Sequence, residues 1–250
     1  MQPHVSDAII LRHVDYGEAD RIVTFFTPDH GRCKGFARSA RKSRKRFGPG
    51  LEPFAKVRMH WTASASGGLL TLREIDLLDL HVGIRNDLDA IALASYGCEL
   101  VEEMVGDDPG HPQVYLLLEA FLGNLAASGT SASARLLFEL RLLDEIGYLP
   151  HLLHCSECFA GLPVDPVAFD PSRGGSLCRA CAPAWTGVLL SRATLGSLSR
   201  ILRSPVTAFS EIQLGETTLK EGGAAIQAAI QAHLRRPLRS LEFLQKIKSP

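Results

Sequence analysis

Four of the six cysteines fall into two closely spaced pairs that could bind a metal ion. Cys155 and Cys158 form one C-x2-C pair, Cys178 and Cys181 form another, and nineteen residues separate the pairs. Two such pairs supply four thiolates that can close a tetrahedron, which is the arrangement that structural zinc prefers. The stretch between them is rich in Gly and Pro and suits a loop with little core of its own, so we expect it to need the metal to fold. The sequence therefore predicts one structural Zn2+ in a segment at about residues 151–185.

The same four-cysteine set argues against catalysis by the metal, because it leaves no coordination position open for water. The sequence also contains no P-loop, dinucleotide-binding fingerprint, nucleophile elbow or paired-carboxylate constellation. A hydrolase or nuclease is therefore disfavoured, and the chain is predicted not to be an enzyme. The two remaining cysteines, Cys33 and Cys98, lie in apolar strand and helix patterns and are expected to be buried thiols.

The second group of residues that could bind a ligand is a run of basic residues at 38–46. Six of its nine residues are Lys or Arg, yet the 250-residue chain has a formal net charge of zero. The run is therefore a local concentration of positive charge, which favours an anionic partner. The Phe47-Gly48-Pro49-Gly50 cluster that follows would end any regular element, so the sequence predicts an exposed, mobile loop between two strands. The alternative is that the run is only a solvated tip.

Further cations lie on the predicted strands around this run. Lys34 precedes it, and Lys56 and Arg58 occupy the basic face of a later strand whose opposite face is apolar. Together these cations fit a groove that follows a phosphate backbone. The predicted nucleic-acid-binding residues are Lys34, Arg38, Arg41, Lys42, Arg44, Lys45, Arg46, Lys56 and Arg58.

The elements that must position these residues change character near residue 80. Before it, short β-rich runs alternate with turn residues, at 8–14, 21–26, 32–38, 55–61 and 69–78. Five short strands, with no helix long enough for a βαβ crossover, predict a small Greek-key barrel of the OB type, with an SH3-like barrel as the alternative. Candidate base-stacking side chains, each of which could instead fill the core, are Phe25, Phe26, Phe36 and Phe47.

Beyond residue 82 the apolar spacing changes from a period of two to one of 3.6, which predicts helices. The patterns cover 86–104, 114–125, 136–146, 195–202, 219–234 and 241–247. Ser191 is expected to cap the fourth helix. Acidic side chains expected on the solvent side of the first helix are Asp87, Asp89, Glu99, Glu102, Glu103, Asp107 and Asp108. The predicted fold is α+β and multidomain: an OB-fold nucleic-acid-binding barrel at 1–80, then an α-helical domain at 81–250 with an inserted four-cysteine zinc-binding segment.

The distribution of charge agrees with nucleic-acid contact at particular surfaces. Residues 1–80 hold 13 Lys and Arg against 9 Asp and Glu, residues 81–150 hold 3 against 11, and residues 151–250 hold 11 against 7. The sequence has neither a signal-peptide pattern nor an uncharged apolar run long enough for a membrane span. We therefore expect a cytoplasmic protein without membrane contact. In that reducing compartment, close cysteine spacing favours a metal over disulfides.

Several motifs along the chain form a recognisable set. They are Asp15–Val23, Ala37-Arg38 leading into the basic run, Phe47-Gly48, Pro53-Phe54, and Gly147-Tyr148 before the first cysteine pair. This set resembles the RecO family of bacterial DNA repair proteins, and the likeness covers nearly the whole chain. It implies an N-terminal OB-fold, a helical domain, and a zinc-binding segment that some family members have lost.

The resemblance also implies a function, that of a homologous-recombination mediator in the RecF pathway that does not hydrolyse nucleotides. Such a protein binds single- and double-stranded DNA, anneals complementary strands, and engages the tail of single-strand DNA-binding protein. With RecR it helps RecA replace that protein, with RecF and RecA as indirect partners, in the cytoplasm and associated with the nucleoid. Family DNA-contacting positions on the third strand fall on Lys34 and Arg38. Without the resemblance, the residues leave open an RNA-associated adaptor in which barrel and zinc segment hold a structured RNA.

Overall fold

Residues 3–63, 68–106 and 110–248 are described by a computed structural model. The chain forms two compact units, one of residues 1–129 with 238–250 and the other of residues 130–237. The sequence predicts a boundary at residue 80, and the strands do give way to helices there. The division into compact units falls later in the chain, because ion pairs and packing connect the barrel to the helices that follow it. That the barrel folds independently as a 1–80 domain stays a prediction.

The barrel of the first unit is built from five strands, in agreement with the sequence. They are β1 (Pro3–Tyr16), β2 (Asp20–Thr27), β3 (Gly31–Ala37), β4 (Lys56–Thr62) and β5 (Leu70–Asp79). The sheet closes in the order β1-β2-β3-β5-β4, and β1 also pairs with β4. Only the β3–β5 pair in this barrel is parallel. This closed five-stranded order confirms the prediction of an OB-type barrel.

Strand β1 is long enough to serve both ends of the closed sheet. Its first half pairs with β4 and its second half with β2, and the register shifts between Ile10 and Arg12. Such a bulge increases the local twist, which helps one strand bend from one partner to the next. Inside the barrel, the rings of Phe25 and Trp61 pack edge to face with centroids 5.8 Å apart. Apolar side chains that alternate with outward polar ones thus fill the interior.

A glycine permits the close packing of β3 inside the barrel. Gly35 pairs with Leu70 of β5, and a Cβ at Gly35 would lie 2.4 Å from the Cδ2 atom of Leu72. No side chain fits there, so glycine allows the barrel to close between these strands. The neighbours of Gly35 on β3, Lys34 and Phe36, consequently face outward.

Seven helices lie in the described ranges. In chain order they are α1 (Val82–Arg85), α2 (Leu88–Met104), α3 (Pro112–Ser128), α4 (Ala132–Glu145), α5 (Arg192–Leu202), α6 (Glu216–His233) and α7 (Arg239–Lys248). The predicted Ser191 cap is confirmed, because its hydroxyl accepts a hydrogen bond from the Thr194 amide at 3.2 Å. In the parts of the chain that are described, no helix combines the length and the apolar content needed to cross a bilayer.

Ion pairs attach the first helices to the barrel. The guanidinium of Arg12 on β1 donates two 2.8 Å hydrogen bonds to the carboxylate of Glu102 on α2. Arg32 on β3 donates to the Glu102 carbonyl at 2.9 Å, and Lys56 on β4 is paired with Glu119 on α3. Glu102 is 5% exposed, so the expectation that it faces solvent is wrong. A buried carboxylate requires a partner, and Arg12 supplies one.

A second predicted solvent-facing acid also has a structural role. The carboxylate of Glu99 on α2 accepts hydrogen bonds from the backbone amides of Arg239 and Ser240 at 3.2 and 2.8 Å. It also accepts a bond from the Ser240 hydroxyl. A carboxylate at a helix N-terminus satisfies amides that have no partner within the helix, so Glu99 caps α7. Of the other predicted acids, Asp107 and Asp108 lie outside the described residues.

The second unit combines three helices with a small sheet. Strands β6 (Val167–Asp170), β7 (Gly175–Leu177) and β8 (Val188–Leu190) form the order β7-β6-β8. Helix α6 packs closely against α4 and α5 at Gly222, where a Cβ would lie 3.2 Å from Leu198 and 3.4 Å from Leu136. The predicted zinc-binding segment contributes β6 and β7, so part of its chain belongs to this sheet.

Candidate metal centre and nucleic-acid interface

The structure brings all four predicted metal ligands together. The Sγ atoms of Cys155, Cys158, Cys178 and Cys181 all lie within 4.8 Å of one another. The Sγ atoms of Cys158 and Cys178 are 3.6 Å apart. A tetrahedron with metal–sulfur bonds of about 2.3 Å has sulfur–sulfur edges of about 3.8 Å. The four thiols therefore fit a closed tetrahedral metal site, and no other group of three or more His, Cys, Asp or Glu side chains in the described ranges forms a candidate site.

Each cysteine pair lies on a tight turn, and we call each pair with its turn a knuckle. In the first knuckle, the Phe159 amide donates to the Cys155 carbonyl at 2.9 Å, and Phe159 has a positive φ of 57°. In the second, the amides of Cys181 and Ala182 donate to the Cys178 carbonyl at 3.1 and 3.0 Å. These turns direct the two sulfurs of each pair toward a common point, which the C-x2-C spacing requires.

The pKa values of the four clustered thiols are shifted by backbone amides and by one another, in the way expected of a cation-binding site. Burial acts to raise the pKa of the Cys155 thiol, but backbone amides of both knuckles outweigh burial and lower that pKa to about 6. The neighbouring sulfurs, that of Cys178 first, raise the pKa of Cys181. Four sulfurs this close cannot all be thiolates without a compensating positive charge, which a divalent metal ion would supply.

A residue outside the cysteine pattern holds the two knuckles together. The guanidinium of Arg173 donates to the carboxylate of Glu157 in the first knuckle at 2.8 Å. It also donates to the carbonyl of Cys181 in the second knuckle at 2.9 Å. Groups that orient the ligands in this way are typical of metal sites in proteins. No spacing rule relates Arg173 to either cysteine pair, so its role is not indicated by the sequence alone.

The remaining cysteines are not brought to this site. Cys98 is 2% exposed in α2, which confirms the predicted buried thiol, and burial raises its pKa. Cys33 on β3 is only half-buried, and burial raises its pKa to about 11. Thiols with raised pKa values are protonated at neutral pH, so neither is a ready metal ligand or nucleophile.

Five predicted DNA-binding cations form an unpaired basic group on the barrel. All five are exposed, and none has a carboxylate partner among the residues that the structure describes. We call them the open cations; they are Lys34, Arg38, Lys42, Arg44 and Lys45. Lys34 lies on β3, and the other four follow β3 in the next few residues. Because no internal acid neutralises them, their field is available to an external anion.

Two other predicted cations in the same stretch support the shape of the segment. Arg41 donates to the Glu18 carbonyl at 3.3 Å and lies 3.7 Å from an oxygen of Asp15. Arg46 donates to the Arg38 carbonyl at 2.8 Å, and its guanidinium lies 5.0 Å from the centroid of the Phe47 ring. Arg41 and Arg46 both contribute positive charge to this surface, but these contacts within the protein leave their guanidinium groups less available to DNA than the open cations.

The predicted mobile loop is packed against the barrel, which corrects the expectation from sequence. Phe47 and Leu51 are 2% and 1% exposed and belong to the barrel core. The Arg46 carbonyl accepts a 2.9 Å bond from the amide of Ile75 on β5. The short 3-10 helices Ala40–Lys42 and Gly48–Leu51 lie on either side of the turn that carries Arg44 and Lys45. Ala40, 8% exposed, belongs to the same core cluster, so apolar residues near both ends hold the basic run 38–46 on the barrel.

The last two predicted cations, Lys56 and Arg58, are not part of the basic group. Both lie on β4, which β5 separates from β3 in the sheet. Lys56 is paired with Glu119, and Arg58 lies 3.0 Å from a carboxylate oxygen of Asp7. The structure therefore does not join them with Lys34 and Arg38 in one groove. A DNA contact by either residue stays a prediction, and each would have to compete with an internal carboxylate.

The candidate base-stacking aromatics divide into two groups. Phe25, Phe26 and Phe47 are at most 2% exposed, so they fill the interior and are not available to a base. Phe36 is half-buried on β3, with its ring 5.9 Å from that of Tyr16. Tyr16 is 57% exposed and was not among the aromatics predicted to stack on bases.

Comparison with known proteins gives a consistent result along the chain. Residues 1–81 match the family model "Recombination protein O N terminal", and residues 85–242 match "Recombination protein O C terminal". A DNA repair protein RecO from Syntrophotalea carbinolica is 49% identical over 242 residues, covering 97% of this chain and 94% of the relative. RecO from Pelobacter propionicus is 39% identical over 250 residues, covering 100% and 99%, and RecO from Geobacter sulfurreducens is 38% identical over 247 residues, covering 99% of each.

Proposed function

Because the chain belongs to the RecO family of DNA repair proteins, we propose that it acts as a mediator of recombinational repair. In this role it binds single- and double-stranded DNA and anneals complementary strands that carry single-strand DNA-binding protein. It then works with RecR so that RecA can take the place of that protein. The alternative of an RNA-associated adaptor has no support from the relatives, whose names are those of DNA repair proteins.

The observation that carries this proposal is the group of open cations held on a closed barrel. Each Lys or Arg that contacts a phosphate releases condensed counterions, which gives binding that does not depend on base sequence. A mediator of repair needs that property, because damage occurs anywhere in a genome. Phosphate contacts position the nucleic acid without reading it, so both single and double strands are expected substrates.

We further propose that the four-cysteine cluster holds one Zn2+ with a structural role. Cys155, Cys158, Cys178 and Cys181 would be the ligands, and soft thiolates in a tetrahedral set favour zinc. The bound ion would supply positive charge and a cross-link between the knuckles. Arg173 orients the second knuckle through the Cys181 carbonyl, and the cluster offers no open position for a reaction.

The test is strand annealing with both complementary strands coated by single-strand DNA-binding protein, in the absence of nucleotide. We expect the protein to accelerate duplex formation, since positive charge on a rigid surface reduces repulsion between strands. Lys34→Gln combined with Arg38→Gln should slow annealing, whereas Arg192→Gln combined with Arg200→Gln is the matched control, because both arginines are exposed and lie outside the predicted DNA-binding set. Absence of annealing together with tight binding to a structured RNA would overturn the mediator proposal in favour of the adaptor.

A further inference from the structure

An aromatic ring lies between two open cations at the end of β3. Lys34 and Phe36 are spaced by two residues on β3, which places them on its outer face, and the exposed Arg38 continues this spacing in the first residue after the strand. Gly35 and Ala37 between them are buried, in agreement with this alternation. A ring flanked by cations is the combination that single-strand binding surfaces use, in which bases stack and phosphates pair.

A second ring completes the arrangement from the end of β1. The ring of Tyr16 meets that of Phe36 nearly at right angles, with centroids 5.9 Å apart and an interplanar angle of 81°. Edge-to-face packing is a favourable geometry for two aromatic rings and leaves ring surface uncovered. Tyr16 is 57% exposed even with Phe36 beside it. The pair therefore presents aromatic surface to solvent.

This exposure sets the pair apart from the other large aromatic side chains of the barrel. Phe25, Phe26, Phe47, Phe54 and Trp61 are all at most 6% exposed. Within the described part of the barrel, Tyr16 and Phe36 are thus the Phe, Tyr or Trp residues that a ligand can reach. The other aromatic rings fill the interior of the barrel, whereas the Tyr16 and Phe36 rings lie outside it. Packing of the interior therefore does not explain why an aromatic ring stands at position 16.

Backbone hydrogen bonds hold Tyr16 beside the basic segment. The turn that follows Tyr16 contains Ala19, whose carbonyl accepts a 3.0 Å bond from the Arg41 amide. The carboxylate of Asp20 accepts a 2.7 Å bond from the Ser39 amide. The β1–β2 turn and the basic segment are therefore joined at two points, and the ring does not depend on a free loop for its position.

We propose that Tyr16 and Phe36 form a stacking site for an unpaired nucleobase of single-stranded DNA, with phosphates on either side bound by Lys34 and Arg38. This inference rests on the proposed function and assigns a task that the cations cannot perform. Cations contact phosphates of single and double strands alike, whereas a base can lie on a ring only when it has left its own stack. The site therefore gives the barrel a preference for single strands and a way to hold bases apart from a partner strand.

The test replaces both rings with aliphatic side chains of similar bulk, Tyr16→Leu and Phe36→Leu. Affinity is measured for an oligothymidylate and for a duplex of equal length at one salt concentration, and then as a function of salt. Stacking of a base on an aromatic ring contributes about 1–3 kcal/mol, so we expect affinity for the single strand to fall by about 5- to 150-fold. Affinity for the duplex and the salt slope should be unchanged, because the phosphate contacts remain.

A second variant keeps the proposal falsifiable if the double variant folds poorly. Tyr16→Trp preserves an aromatic face and should retain the affinity of the unsubstituted protein for the single strand. Its added fluorescence, after subtraction of the signal from the unsubstituted protein, should be quenched by the oligothymidylate and not by the duplex. Equal losses for both DNA forms in the leucine variant, or an unquenched tryptophan with DNA bound, would overturn the stacking site. Failure of the unsubstituted protein to bind either DNA would instead overturn the proposed function.

Discussion

The barrel and the four-cysteine segment reach their folded states by different physical means. Thirteen buried residues, drawn from all five strands and from the connection between β3 and β4, form one apolar cluster in the barrel. The cluster around the cysteines has three buried residues, Cys155, Ala168 and Leu177, with the ring of Trp185 packed against it. Apolar burial contributes roughly 1.5–3 kcal/mol for each large side chain, so the barrel has a large internal source of stability and the segment has little.

This difference teaches where each region is vulnerable. The barrel depends on shape and volume, so a cavity in its core is costly while a surface charge is not. With the proposed Zn2+ bound, the segment depends on four cysteine ligands, so loss of one ligand would remove the cross-link between the knuckles. The proposed functions follow the same division, since the barrel offers an unpaired basic surface and the segment offers a metal site that is closed to reactants.

The largest expected effect is removal of the metal. We predict that protein purified without chelator contains one zinc per chain, and that Cys155→Ser removes it and unfolds the knuckles while the barrel stays folded. Structural zinc contributes about 10–16 kcal/mol in isolated zinc fingers, which exceeds what this segment's own core can supply. Metal analysis and limited proteolysis measure the two parts of the prediction. Cys33→Ser is the control and should keep its zinc; a protein without zinc, or protease-resistant knuckles in Cys155→Ser, would contradict it.

The next largest effect is a cavity in the barrel. Phe25 is fully buried against Trp61, so Phe25→Ala is expected to lower the free energy of unfolding by about 3–5 kcal/mol. Hydrogen exchange should then accelerate in the barrel amides, and the zinc content should stay at that of the unsubstituted protein. Loss of zinc in this variant would mean that the two regions do not depend on separate sources of stability.

A smaller effect is expected from the residue that connects the knuckles. Arg173→Ala removes the bonds to Glu157 and to the Cys181 carbonyl, so we predict a 10- to 100-fold loss of zinc affinity, the range typical of residues that orient metal ligands. Competition with a zinc chelator measures it. Arg179→Ala is the matched control, because Arg179 is an exposed arginine within the second knuckle and the change in charge is the same. Equal losses in both variants would assign the effect to charge alone.

The smallest effect on stability is expected at the open cations. Lys42→Ala, Arg44→Ala and Lys45→Ala together should change stability by no more than about 0.5 kcal/mol per site, since all three side chains are exposed. For single-stranded DNA, however, the log–log salt slope should become shallower by roughly 2, at about 0.7 per phosphate contact. Salt-dependent binding measurements test this. An unchanged slope would show that these three cations are solvated and that other cations of the barrel make the phosphate contacts.

The parts of the fold that could be predicted are those that short-range sequence patterns specify. Alternation at residues 55–61 matches β4, apolar spacing located six helices and missed only the four-residue α1 among the described helices, and Ser191 caps α5 as its side chain and position indicate. The C-x2-C spacing identified the four clustered thiols for the same reason, since two residues between ligands is a local geometric rule.

Features that depend on distant partners could not be read from such patterns. Glu102 has the spacing of a surface acid on α2, and its buried pairing with Arg12 depends on a residue ninety positions away. Phe47 stands among cations and has the sequence context of an exposed ring, yet the closed barrel offers it an interior site. Arg173 and Tyr16 likewise acquire their roles from neighbours that the fold supplies. Pairings across long sequence separations are set by topology, which short-range periodicity does not encode.

The order in which the ribosome makes the chain bears on the helix that Glu99 caps. Residues 130–237 are synthesised between the two parts of the first unit, and α7 emerges only after them. At about 5–20 residues per second, the roughly 110 intervening residues delay α7 by about 5–20 s. Throughout that interval the nascent α2 carries a carboxylate without its helical partner, and the surface of α2 that α7 packs against remains uncovered. The second unit therefore has time to fold as a complete insertion before α7 joins the first unit, and a chain that stops before residue 239 would leave α2 without the helix that Glu99 caps.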